Sequence, residues 1–273
     1  MTDREGQCGG EVLYEVAGRV ATATINRPEQ RNSLNVAAIT GLAGAVERAK
    51  QDPDVRVLVV TGAGKKAFCA GADLSTMFAD GDPGEGKPGV VASHHARGAL
   101  ARLFLGLWDL GKPTIAKVRG YALAGGFGLA MACDLVVAAE DARFGTPEIN
   151  VGLWPYMITV PILRSMTPRA ALELMMTGRR VEAAEARELG LVNRVVPVDK
   201  LDGAVAELAG ELAGKSPQAM QLGRGSFYRA LSMGPAEALD YLQAMLSVTT
   251  MSEDAAEGIA AFIEKRPPTY GPG

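Results

Sequence analysis

Two short segments of this chain pair glycine and alanine at a turn that opens a helix. They are Phe68-Cys69-Ala70-Gly71-Ala72-Asp73-Leu74 and Ala122-Leu123-Ala124-Gly125-Gly126-Phe127-Gly128-Leu129. The first N–H groups of a helix have no partner inside it, and the helix dipole adds partial positive charge there. Residues without bulk let a ligand oxygen approach the backbone. Two such N–H groups aimed at one point would stabilise an oxygen that gains negative charge during a reaction. The spacing alone leaves a second use open, in which these glycines only let helices pack closely on strands.

Other chemical signals fail on inspection. His94 and His95 are the only histidines, and adjacent residues fall on different helix faces. The run GAGKK at 62–66 lacks the first glycine and the final Ser/Thr of a phosphate-binding loop, since position 59 is Val. Gly126-Phe127-Gly128 lacks the third glycine and the acidic partner of a dinucleotide fingerprint. No cluster suggests a metal site.

The elements that must hold these turns are readable in outline. Residues 11–27 alternate apolar and polar about a glycine and predict a β-hairpin ended by Pro28. Asn35 to Lys50 carries Ile39, Leu42, Ala43 and Val46 at helical spacing. Val55–Thr61 is a short apolar run, as expected of a strand buried on both faces. Residues 67–77 predict a turn entering a helix, and 80–88, dense in Gly, Pro and charge, a mobile loop. A helix near Ala99–Leu110 leads to a second buried strand at Pro113–Tyr121, then a helix to Cys133 and a strand over Asp134–Ala139. The strand–turn–helix unit thus occurs twice, a repeat that suits stacked ββα turns. From about Pro161 the pattern is helical almost without break, with helices over Ala183–Leu189, Leu201–Ala213, Pro217–Leu231, Pro235–Thr249 and Ser252–Lys265. A shift from mixed to all-helical composition near residue 200 divides a core, 1–200, from a helical subdomain, 201–273.

The 273 residues suffice for one large α/β core. A net charge of −3 gives no footprint for nucleic acid or an anionic membrane. Cys8, Cys69 and Cys133 are scattered and odd in number, which excludes a disulfide framework and suits a reducing compartment. With a polar N-terminus and no long apolar run, the expectation is a cytoplasmic protein without membrane or nucleic-acid partners.

FCAGADL, then ALAGGFGLAMACDLVVAAEDARFGTPEINVGLWP, then AFIEKRPP, in this order over nearly the whole chain, resemble the enoyl-CoA hydratase/isomerase (crotonase) superfamily. The resemblance implies an α/β spiral of ββα turns with a helical C-terminal segment that forms a homotrimer or dimer of trimers. It implies an acyl-CoA substrate whose thioester oxygen rests on the N–H groups of Ala72 and Gly125. Coenzyme A is then part of the substrate, and no separate cofactor or metal is required. Proton removal next to a thioester passes through an enolate, so donors set in advance favour the transition state over the ground state.

The resemblance also shows departures. Hydratases of this family carry two glutamates, one on the helix after the second glycine turn and one in the FG-x-PE motif. The first position is Gly128 here, and the second is Glu148. Hydration ordinarily uses both carboxylates, whereas shifting a double bond from C3–C4 to C2–C3 needs one base. Isomerisation is therefore the first expectation and hydration the second, with a non-catalytic acyl-CoA-binding homologue as the rival. A glycine-rich run of the hydratases is replaced by Pro155-Tyr156-Met157-Ile158-Thr159, so Trp154, Tyr156 and Met157 are expected to line the acyl pocket. For the CoA end the resemblance points to Arg27, Arg31, Ser33, Ala70, Asp73, Leu74 and Gly126, with Phe262 and Lys265 reaching in from the C-terminus. Arginine suits phosphate geometry. Asp73 is also placed to cap the helix that follows it, and Ser75 stands where a phosphate-binding lysine is common.

Overall fold

In the computed structural model, which describes residues 4–8, 10–73 and 90–271, the chain winds between two sheets. The hairpin is formed by β2 (Val12–Ala17) and β3 (Val20–Ile25), with Gly18 at φ +61° in the two-residue turn. An N-terminal strand, β1 (Arg4–Cys8), pairs with β2 and was not visible in the sequence pattern. Helix α1 (Val36–Gln51) begins where the Asn35 side chain accepts from the Ala38 N–H at 2.8 Å, and it buries Ala38, Leu42, Ala45, Val46 and Ala49.

Three successive turns then repeat one plan. Each gives a longer strand to a seven-stranded sheet and a three-residue strand to a four-stranded sheet. The pairs are β4 (Val57–Gly62) with β5 (Ala67–Cys69), β6 (Thr114–Val118) with β7 (Tyr121–Leu123), and β8 (Leu135–Ala139) with β9 (Arg143–Gly145). Helix α2 (Val90–Trp108) precedes β6, and α3 (Gly125–Ala132) follows β7. The spiral of ββα turns is therefore present. Pro113–Tyr121 is not one strand, however. It breaks at Gly120, at φ +62°, where a β-carbon would lie 2.2 Å from the Lys66 carbonyl oxygen, and the chain crosses to the other sheet.

The region after Pro161 also departs from the helical expectation. Between α4 (Thr159–Leu163), α5 (Pro168–Thr177) and α6 (Ala183–Glu188) lies β10 (Arg180–Glu182), which pairs with β9, and β11 (Arg194–Val196) then joins β8 in parallel. The sheets run β1-β2-β3-β4-β6-β8-β11 and β10-β9-β7-β5.

Both faces of the larger sheet are covered, as its continuous apolar strands require. Leu58, Val60, Ala116, Val118, Val136 and Ala138 face the main core. Val57, Val59, Ile115, Val137 and Ala139 face α7 (Leu201–Ala213) through Leu201, Val205, Leu208 and Ala209. Helices α8 (Pro217–Ala230), α9 (Pro235–Thr250) and α10 (Glu253–Glu264) pack on one another. A nearly buried Arg224 ties α8 to the core. Its Nε donates to Asp134 Oδ2 at 2.8 Å, and its other nitrogens donate to the Leu107 and Trp108 carbonyls. Asp134 also accepts from Thr114 N, Thr114 Oγ1 and Tyr228 OH.

Candidate active site

Ala72 lies just past β5, in a single parallel bridge with Leu34. The Leu34 N–H donates to the Gly71 carbonyl at 2.7 Å, and its carbonyl accepts from the Asp73 N–H at 2.9 Å. Bonds to the residues on either side of Ala72 mean that its own N–H and C=O point the other way, towards the second glycine turn.

Gly125 is the first residue of α3, so its N–H has no acceptor within the helix. The turn before it is tight. Ala124 holds φ +52° and ψ −128°, a conformation that costs a residue with a β-carbon about 1–3 kcal/mol. Its N–H is held by the Gly145 carbonyl at 2.9 Å. The two turns touch, and glycine is what allows it. A β-carbon on Gly71 would stand 2.6 Å from that of Ala124 and 3.4 Å from the Gly125 nitrogen. One on Gly125 would stand 3.8 Å from the Ala72 nitrogen, with Leu34 and Leu100 methyls at 3.6 and 3.5 Å. One on Gly126 would overlap the Cys69 carbonyl at 2.2 Å. The structure thus brings Ala72 and Gly125 side by side with apolar side chains beside them.

Glu148 enters through the second sheet. Strand β9 pairs with β7, matching Gly145 to Leu123, and the Gly145 carbonyl holds Ala124. Thr146, fully buried, donates to the Leu174 carbonyl at 2.9 Å, and a 3-10 turn over Pro147–Val151 begins at once. Gly152 at φ +74° ends it, and the Leu153 N–H returns to the Glu148 carbonyl. The carboxylate is half-buried. Its Oε2 is closed off from water and has no hydrogen-bond partner among the described residues. Burial disfavours the anion and raises the carboxyl above the usual glutamate range, with the residue's own backbone N–H opposing in part. A carboxyl raised in this way is, once ionised, a stronger base than an exposed glutamate.

Gly128 lies one turn after Gly125, on the same side of α3. The space before it is filled. A β-carbon there would meet Ile158 Cγ2 at 2.2 Å, Ile158 Cβ at 2.6 Å and Phe104 Cζ at 3.2 Å. Ile158 and Phe104 are both buried. Sequence reasoning missed both residues. Of the expected wall, Trp154 packs partly buried on the core, while Tyr156 is 78% exposed and Met157 36% exposed in the single chain. The signal overlooked was Ile158 itself, the buried apolar residue in the run that replaces the glycines.

The residues expected at the CoA end divide. The Arg31 side chain is exposed, and its carbonyl accepts from the Ala70 N–H at 3.0 Å. Arg27 is instead committed to the protein: Nη1 to the Ser33 carbonyl and hydroxyl at 2.6 and 3.0 Å, Nη2 to Asp73 at 3.0 Å, and Nε within 3.0 Å of Glu11. Phe262 and Lys265 lie exposed at the end of α10. Leu74, Ser75, the helix Asp73 would cap and the loop at 80–88 fall outside the described residues. Cys69, within the first turn, is fully buried, and burial pushes its thiol up to about 12, which disfavours the thiolate. Among the described residues no group of three His, Cys, Asp or Glu is gathered as a metal would need.

A family model described as enoyl-CoA hydratase/isomerase matches residues 15–272. A putative enoyl-CoA hydratase of Thermus thermophilus is 39% identical over 255 residues, covering 93% of this chain and 98% of the relative. The 2,3-dehydroadipyl-CoA hydratase of Escherichia coli is 34% identical, over 95% of this chain and 98% of its own. Among solved structures, the enoyl-CoA hydratase of Mycobacterium smegmatis superposes with a TM-score of 0.88 at 35% identity, over 95% of this chain and 98% of that one.

Proposed function

This chain belongs to the enoyl-CoA hydratase/isomerase family, and from that premise we propose that it shifts the double bond of a 3-enoyl-CoA to the 2-position with Glu148 as its one acid/base. The family makes it an enzyme acting on acyl-CoA thioesters. In the proposed cycle the Glu148 carboxylate takes a proton from C2 of the bound thioester. The electron pair moves towards the carbonyl oxygen, where the Ala72 and Gly125 N–H groups stabilise the dienolate. The same carboxyl returns the proton at C4, and the double bond is left between C2 and C3. Nothing is gained or lost but position.

The observation that carries this reading is the filled space at Gly128. Ile158 and Phe104 stand where a second carboxylate would reach in, so an apolar wall replaces the group that hydration ordinarily uses. The raised carboxyl of Glu148 suits a proton shuttle. Hydration of 2-enoyl-CoA is the second reading, favoured by the names of the relatives. We also propose a homotrimer or a dimer of trimers. Phe227, Leu239, Leu246, Met251, Phe262 and Ile263, spread over α8–α10, are each more than half exposed in the single chain, which supports burial between subunits.

Purified protein given matched 3-enoyl-CoA and 2-enoyl-CoA substrates decides between these. Appearance of conjugated thioester absorbance from the 3-enoyl substrate is the expected result. Loss of absorbance from the 2-enoyl substrate alone would mean hydration. Tight binding without turnover of either would mean a non-catalytic binding protein, and full activity in Glu148→Gln would remove Glu148 as the base.

A further inference from the structure

We propose that Arg27 is a positioning residue for the Ala72 N–H, acting as a guanidinium staple across the one bridge that holds this donor, and is not a ligand of the coenzyme A phosphates. The proposal rests on the reading of Ala72 as a thioester donor.

Ala72 is held in place through its neighbours Gly71 and Asp73, which bond to Leu34. Past β5 the chain is tied to its neighbour by the Leu34–Ala72 bridge and by the Ala70 N–H, which donates to the Arg31 carbonyl. Arg27 grips both sides of the bridge. Nη1 donates to the carbonyl and hydroxyl of Ser33, the residue before Leu34. Nη2 pairs with the carboxylate of Asp73, the residue after Ala72. Nε lies 3.0 Å from Glu11, which steadies the guanidinium from behind. The planar fork reaches two strands at fixed separation, which a flexible ammonium on a single point does less well. Both charged partners are nearly dry, at 11% exposure for Arg27 and 14% for Asp73, so the pair is little screened.

The base of the staple is rigid too. The Arg27 N–H donates to Asn32 Oδ1 at 3.0 Å. Asn32, 1% exposed and at φ +56°, donates in turn to the carbonyls of Ala63 and Ala67, on either side of the turn that leads into β5. One connected set of bonds therefore runs from the hairpin end to the donor strand. An arginine whose Nη1 and Nη2 donate inside the protein and whose Nε faces Glu11 keeps at most one N–H for a phosphate. Arg31, four residues on, is exposed instead.

The test compares Arg27→Gln, Arg27→Lys and Asp73→Asn with the wild type by two readouts. The first is kcat and KM on the enoyl-CoA that is turned over and on the matching enoyl-pantetheine thioester, which lacks the nucleotide and its phosphates. The second is the infrared stretch of a carbonyl-13C saturated acyl-CoA bound to each protein, since hydrogen-bond donors lower that frequency. A misplaced donor is expected to lower kcat at least about tenfold on both substrates with KM little changed. The downshift seen in wild type shrinks in Arg27→Gln and is partly restored in Arg27→Lys. A penalty confined to KM that disappears with the pantetheine substrate would mean a phosphate contact and overturn the proposal. So would a full downshift in Arg27→Gln. Absence of the downshift in the wild type itself would instead remove the donor reading on which the proposal stands. Should Arg27→Gln fail to fold, Asp73→Asn keeps the shape and carries the same comparison.

Discussion

The contact between Gly128 and Ile158 can be weighed by a double-mutant cycle. A methyl group at 128 would stand 2.2 Å from Ile158 Cγ2, short of an ordinary carbon–carbon contact by roughly 1.5 Å. Both residues are buried, and the nearest atoms belong to a branched side chain with one favoured rotamer, so little room can be found by rotation. Gly128→Ala is expected to lower stability by about 1–3 kcal/mol through overpacking. Ile158→Ala is expected to cost about 2–5 kcal/mol, because the glycine opposite offers nothing to refill the cavity. In the double variant the new methyl enters the space the isoleucine has left. The combined cost should then fall short of the sum by at least about 1 kcal/mol, well beyond the usual scatter of independent sites. Urea unfolding at one fixed protein concentration measures all four proteins, since subunit association would otherwise enter. Additivity within about 0.5 kcal/mol, or a neutral Gly128→Ala, would refute the packing argument. Chemistry can be read from the same background. Gly128→Glu together with Ile158→Ala adds a carboxylate where room has been made, and a gain in 2-enoyl-CoA hydration over wild type is the expected outcome.

For Glu148, burial raises the carboxyl, so the folded chain keeps a proton that the unfolded chain has already lost. The favourable contribution is present below the ordinary glutamate value and is lost as pH rises through the raised one. Glu148→Gln should therefore gain thermal stability relative to wild type at about pH 8 and show little difference near pH 4, while the acid limb of wild-type kcat/KM lies above the ordinary glutamate range. Gly71→Ala places a β-carbon at φ +98° and 2.6 Å from that of Ala124, and is expected to lower kcat about a hundredfold with near-normal circular dichroism. Asp134→Ala leaves the nearly buried Arg224 guanidinium without its carboxylate and should lower the stability read from urea unfolding by about 3–5 kcal/mol.

Much of the scaffold was legible because its signals are local. Leu201–Ala213 was read to the residue, since a helix of thirteen residues repeats its apolar face several times. The Val57–Gly62 strand showed itself as an apolar run because α7 covers its second face. Strands β10 and β11, at three residues each, are too short for a period to form, and helical neighbours on both sides hid them. The crossing at Gly120 was hidden for another reason, since its cause is the Lys66 carbonyl more than fifty residues earlier. The site divides in the same way. The glycine turns and Glu148 stand out in the chain, but only a family resemblance gave them a use. That Ile158 fills the space at Gly128, or that Arg27 is spent on Ser33 and Asp73, is a fact of three-dimensional neighbourhood. Position in the chain carries no trace of it.

The interlock of Gly71 and Ala124 limits how this sequence can diverge. The methyl group of Ala124 occupies the room that the missing side chain of Gly71 leaves, and Gly71 is further held at φ +98°. A side chain at 71 is therefore tolerated only after Ala124 has become glycine, and even then at the cost of its backbone conformation. Changes at these two positions, more than fifty residues apart, must occur in one order. Their epistasis is one of magnitude, in which the same substitution at 71 is damaging in both backgrounds and less so once Ala124 has become glycine. A substitution at 124 can open the path; one at 71 cannot.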